Sequence, residues 1–164
     1  MRNLLNTLMG KSAKMHSKDN VFYQLFDSAG NLKAEWQGAN LITDAGKAGM
    51  ASRLNGSGAE SAFTYIGIGT GTASAGASDT ALGSEITTGG GARASATVSR
   101  VTTDVTDDTA QAVVTFNFTA GFAVTETALF NASSAGTMLN RQVFSAVNVT
   151  SGDSLQVTIK IDVD

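Results

Sequence analysis

The sequence predicts a mainly β protein: an antiparallel β-sandwich or open barrel with one short packed helix and an N-terminal arm. Three observations carry this. Long stretches of the C-terminal half alternate apolar and polar residues, the period of a half-buried strand. Turn-forming clusters, SAGN, TDDT, ASSAG and TSGD, punctuate those stretches at short intervals. Only one internal segment, around Asp44–Leu54, carries both a helix start and a helix stop.

Residues 1–20 stand apart from the β-rich domain, 21–164. Arg2, Lys11, Lys14 and Lys18 lie here, four of eleven basic residues. Leu4, Leu5, Leu8 and Met9 fall on one helical face. The bland alternative is a frayed tail. The sharper expectation is an anchoring arm that orders on a partner, with Leu4, Leu5, Leu8, Met9, Lys11, Lys14 and Lys18 as its contacts. Burying each apolar side chain is worth roughly 1.5–3 kcal/mol, enough to dock but not to fold alone.

Val21–Asp27 and Leu32–Gln37 flank a turn carrying Gly30 and Asn31, which predicts a hairpin. Thr43 or Asp44 then caps a helix whose apolar positions are Ala45, Ala48, Met50, Ala51 and Leu54, with Gly56 at its C-terminal stop. Gly46 and Gly49 each weaken that helix by about 1 kcal/mol relative to alanine, so it needs a sheet to pack on. Phe63–Gly69 reads as a strand with Phe63, Tyr65, Gly67 and Gly69 on one face and Thr64, Ile66 and Ile68 on the other. Ser78 or Asp79 is expected to cap one short turn, and Gly89–Gly91 to form a flexible loop. Arg93–Val105, Ala110–Ala120, Phe122–Asn131, Thr137–Val149 and Ser154–Val163 are the remaining predicted strands. In the last, Leu155, Val157, Ile159, Ile161 and Val163 alternate with Ser154, Gln156, Thr158, Lys160 and Asp162.

Composition narrows function. A net charge of −3 argues against a nucleic-acid-binding domain. No apolar run approaches the roughly 20 residues of a membrane-spanning helix, and the apolar patch interrupted by Asn6 and Thr7 is too short for a signal-peptide core. With no cysteine and one histidine, His16, thiolate metal sites, zinc clusters and histidine-based triads have no residues to build them. The segment Tyr65–Gly76, YIGIGTGTASAG, looks like a phosphate loop, but a dinucleotide fingerprint needs G-x-G-x-x-G leading into a helix. A Walker loop needs lysine where Ala77 stands. The expected role is a tightly packed strand exit. Asp104, Asp107 and Asp108 form either a charged turn or an oxygen site for a hard cation such as Ca²⁺. Glu126, on a face with Val124, Ala128 and Phe130, needs Arg93, Arg100 or Arg141 if buried. No catalytic residue, metal ligand or cofactor-binding residue emerges, so no enzyme activity and no cofactor are expected.

Proline and charge block exposed sheet edges in free monomers. Here proline is absent and charged residues are 15% of the chain. Such edges suit a protein covered by neighbours, either copies of itself or a larger assembly.

The order of motifs resembles small virion proteins of tailed bacteriophages. It runs NLITDAGK (Asn40–Lys47), YIGIGTGT (Tyr65–Thr72), SDTALGSE (Ser78–Glu85), RASATVSR, VTETALFNASSAGTMLNR (Val124–Arg141) and NVTSGDSLQVT (Asn148–Thr158), after an opening FDSAGNLKAEWQGANL. The likeness spans roughly residues 21–164. It implies a β-rich, non-enzymatic structural protein of the virion, assembled in the bacterial host cytoplasm, whose partners are its own copies and other virion proteins. The implied place is a tail, collar, baseplate or fibre-attachment component, or alternatively a capsid decoration protein stabilising the head. Two further classes stay open: a carbohydrate-binding module using Tyr23, Trp36 or Tyr65 as a stacking platform, and a hydrolase.

Overall fold

The structure is a computed structural model and describes residues 20–58 and 60–163. Within them lie ten strands and one helix. The strands are β1 (Asn20–Phe26), β2 (Leu32–Ala39), β3 (Leu41–Ile42), β4 (Tyr65–Gly69), β5 (Ala94–Ser95), β6 (Thr97–Val101), β7 (Thr109–Asn117), β8 (Phe122–Phe130), β9 (Met138–Val149) and β10 (Ser154–Asp162). The helix, α1, is Asp44–Asn55. The predicted arm, with Leu4, Leu5, Leu8, Met9, Lys11, Lys14 and Lys18, lies outside the described residues.

Two five-stranded antiparallel sheets form the predicted β-sandwich. Their orders are β2-β1-β10-β7-β6 and β3-β9-β8-β4-β5. The chain crosses between sheets four times: through single residues at Asn40, between β2 and β3, and at Ala96, between β5 and β6, and through residues 118–121 between β7 and β8 and 150–153 between β9 and β10. The predicted strand Arg93–Val105 is therefore two strands. Alternation continues through Ala96, so periodicity alone does not reveal the change of sheet.

The alternating residues fill one core, as the sequence pattern requires. Val21, Tyr23 and Leu25 from β1 meet Leu155, Val157, Ile159 and Ile161 from β10, with Val114 and Phe116 from β7 and Ile66 and Ile68 from β4. The β1–β2 turn closes because the Asp27 carboxylate accepts the backbone N–H groups of Ala29 and Asn31, at 2.9 and 2.8 Å. Gly30 supplies the positive φ of 84° that this turn needs.

The helix starts and stops where its signals stand. The Thr43 hydroxyl accepts the Gly46 N–H at 2.9 Å and donates to the Met138 carbonyl at 2.6 Å. Gly56 closes the other end in the left-handed region. Its buried face, however, is Gly46 and Gly49, while Ala48, Ala51 and Leu54 are exposed, Leu54 by 89%. A Cβ at Gly46 would overlap the Leu139 carbonyl, and one at Gly49 would lie 2.7 Å from the Phe63 ring. The helix rides directly on β9, where only hydrogen fits at Gly46; of its expected apolar positions Met50 packs against the main core, so the two glycines and Met50 mark the contact.

Strand β8 is buried on both faces. Beneath it is the main core. Above it Ala128 and Phe130 join Leu82 and Met138 in a second, smaller cluster, covered by the long connection between β4 and β5. Further along the same connection, the glycine segment 89–91 packs against the β7–β8 turn and is not loose. The Gly89 carbonyl accepts the Thr119 N–H at 2.9 Å, and a Cβ at Gly90 would overlap the Asn117 carbonyl.

Candidate functional site: a carboxylate held in a glycine cradle

The glycine-rich exit of β4 does gather an anion, and the anion is the protein's own. Glu126 is 0% exposed. Its Oε1 accepts the N–H groups of Gly71 and Ser84 at 2.9 and 2.8 Å, and its Oε2 accepts the Gly83 N–H at 2.9 Å. Side chains at the glycines would fill this space. A Cβ at Gly69 would lie 2.5 Å from Glu126 Oε1 and 2.5 Å from the Ser84 carbonyl, and one at Gly71 would overlap the carboxylate. The expectation of a packed strand exit thus holds, with a specific occupant.

Arg141 on β9 completes the site. Its Nε and Nη2 donate to Glu126 Oε2 at 2.9 and 2.7 Å, Nη1 to Asp79 Oδ2 at 2.7 Å, and Nη2 to the Ala73 carbonyl at 3.1 Å. Of the three arginines the sequence offered, Arg141 is therefore the partner. Burial pushes the Glu126 carboxyl up, but the Ser84 and Gly83 amides and the Arg141 guanidinium outweigh it and hold it below its usual range. Asp79 is lowered by the Gly76 amide and then by Arg141. Burial alone would lower the Arg141 pKa; its hydrogen bonds to the Asp79 and Glu126 carboxylates leave it raised. Asp79 does not cap a helical turn as expected; it ties the Gly76 amide to Arg141.

The sequence pattern also put Glu126 on one face with Val124. The β8–β9 register shifts between Val124 and Glu126, and the parity breaks there. Val124 enters the main core, while Thr125 and Glu126 both reach Gly71, the hydroxyl donating to its carbonyl at 2.8 Å.

A second pair secures the far end of the connection. Arg93 grips Glu85 through two bonds of 2.8 Å, donates to the Ala132 and Ala135 carbonyls, and lies 3.4 Å over the Phe130 ring centroid. Chemically, both arginine sites are closed. Their donors and acceptors are matched within the chain, and what they do is hold residues 70–93 against β8 and β9.

The other candidates are dispersed. Asp108 turns its carboxylate onto the amides of Thr103, Asp104 and Val105, and Asp107 lies 3.6 Å from exposed Arg100. Among the described residues no three His, Cys, Asp or Glu side chains converge as a metal site. The stacking platform is not formed. Tyr23 is 1% exposed, stacks on Trp36 at 4.8 Å inside the sandwich, and donates its hydroxyl to Gln142 at 2.6 Å. Tyr65 packs on the second cluster. A shallow open dish of about 350 Å³ lies instead along β1, β2 and β10, its lining including Phe22, Gln24, Glu35, Gln37, Gln156 and Thr158.

The edge strands β2 and β6 are largely exposed. In β6 every residue from Thr97 to Arg100 is exposed, with no proline and one charge. Val98 pairs with core-facing Ala112, yet is 53% exposed, because β5 opposite is only two residues long.

Comparison with known protein families, curated proteins and solved structures finds no match for this chain.

Proposed function

We propose that the chain is a non-enzymatic structural protein of a tailed bacteriophage particle, oligomerising on the virion as a tail, collar, baseplate or fibre-attachment component. The observation that supports this most is the unblocked β6 edge with its uncovered, core-side Val98. A strand edge is a row of unpaired N–H and C=O groups, and free monomers blunt it with charge or proline. This one is suited to a neighbour. The two closed arginine sites fit the same reading, since they spend buried charge on fixing a long connection in place. Capsid decoration is the same proposal at a different address. Gel densitometry of purified virions tests both: a few copies per particle fit a ring component, hundreds fit decoration, and absence from the particle refutes either.

The polar dish favours one other reading, a carbohydrate site. Three glutamine amides and a threonine around Phe22 offer hydrogen bonds and an apolar ring face. A glycan array separates this from the structural role, because sugar binding lost in Gln24→Ala would favour it.

A further inference from the structure

The turn between β6 and β7 and the end of β10 share a cluster of oxygen atoms that is short of protons. Thr109 opens β7 and pairs with Asp162, the last residue of β10. Its Oγ1 lies 2.6 Å from Thr103 Oγ1, 3.0 Å from Asp108 Oδ1 and 3.3 Å from Asp162 Oδ1. A hydroxyl carries one proton, so Thr109 donates to only one of these three. Asp108 has other donors, the amides of Thr103, Asp104 and Val105. Among the described residues Asp162 has none besides Thr109. It is 2% exposed, and its Oδ2 is buried without a hydrogen-bond partner among the described residues.

A buried carboxylate oxygen without a donor is stabilised by a cation placed beside it. The nearby described basic side chains are engaged elsewhere: Lys160 lies 5.2 Å over the Phe22 ring, and Arg100 faces Asp107. We infer that Asp162, Thr109, Thr103 and Asp108 form a binding site for a hard cation of the Ca²⁺ type. Every donor is oxygen, which selects Ca²⁺ over zinc or copper, and irregular oxygen sets suit Ca²⁺ better than the strict octahedron of Mg²⁺. Two carboxylates are few, so water completes the shell, and the affinity belongs to the weak class of about 10⁻⁴–10⁻³ M. The site differs from the one suggested by adjacent Asp104, Asp107 and Asp108: only Asp108 is shared. Bound there, the ion ties the β6–β7 turn and the start of β7 to the end of β10.

The test uses the full chain, stripped with chelator, titrated with CaCl₂ by calorimetry and melted with and without the ion. The expected result is one Ca²⁺ per chain and a Tm rise of about 3–5 °C at tenfold the dissociation constant. Asp162→Asn should fold without Ca²⁺ and lose at least tenfold in affinity, together with the Ca²⁺-dependent Tm rise. Thr109→Val should weaken binding in the same direction. Indifference of the wild type to Ca²⁺ at ten times the weak end of that range overturns the site, as does undiminished binding by Asp162→Asn. Lys18 lies two residues before β1 and outside the described residues. If Lys18→Gln gains a Ca²⁺ response that the wild type lacks, the chain's own ammonium is the cation, and the metal site is overturned.

Discussion

Replacing Glu126 by glutamine removes one charge and almost no volume, so it isolates what the glycine cradle contributes. Five N–H groups converge on the carboxylate: Gly71 and Ser84 on Oε1, and Gly83 with the two Arg141 nitrogens on Oε2. A glutamine has one acceptor oxygen, and its NH₂ must face one of these groups. Facing Gly71 and Ser84 is the smaller loss, because only two donors are then opposed. Each buried unsatisfied group costs about 1–3 kcal/mol, and breaking a buried ion pair from one side costs about 3–5 kcal/mol. The two routes agree on a loss of about 3–5 kcal/mol, a large share of the 5–15 kcal/mol of an ordinary domain. For a chain of this size that is a fall in Tm of about 6–20 °C. Urea unfolding followed by circular dichroism measures the loss. Amide exchange locates it, because Gly71, Gly83 and Ser84 should lose protection before the core of β10 does. A Glu126→Gln protein within about 1 kcal/mol of wild type would refute the claim that the cradle anchors residues 70–93.

Further outcomes follow from the same geometry. The carboxyls of Glu126, Asp79 and Asp153 are held below their usual values, so their contribution is complete above the ordinary carboxylate range and is lost as pH falls through their folded values. Thermal melts should therefore hold steady down to about pH 4 and decline below it, less steeply in Glu126→Gln. Gly46→Ala should destabilise by about 2 kcal/mol or more, although helix propensity alone predicts a gain of about 1 kcal/mol; a more stable variant by denaturant titration would show that α1 does not sit on the Leu139 backbone. Val98→Lys puts a charge on the core side of the β6 edge and should shift any oligomer towards monomer on size exclusion with little change in Tm, whereas an unchanged oligomer places the contact elsewhere. Deleting residues 1–19 should leave a folded sandwich, since β1 begins at Asn20, and should abolish attachment to the particle; full attachment refutes the anchoring role.

Much of the fold was legible because the strands that build the core obey a single period. Leu155 to Ile161 alternate without interruption, and so do Ala112 to Phe116, and both runs face the core as read. Thr43 and Gly56 bounded the helix because capping is local chemistry. What escaped depends on contacts distant in sequence. The helix presents glycines to β9, a choice set by how closely Leu139 approaches. The break in parity at Thr125 leaves no periodic trace, because Thr125 and Glu126 look ordinary until Gly71 arrives from the connection that follows β4. The glycines of YIGIGTGTASAG were readable as close packing. Their occupant was not, since Glu126 lies far along the chain and three arginines competed for it. Asp162 read as the outward member of an alternating strand and gave no sign of being buried beside Thr109.

The central claim is that this sandwich is completed by neighbours along an open strand edge, and the most direct measurement is its mass in solution. Multi-angle light scattering of the full chain should give a multiple of 16.8 kDa that persists on dilution into the low-micromolar range. A single 16.8 kDa species at high concentration, with no tendency to associate, would contradict it.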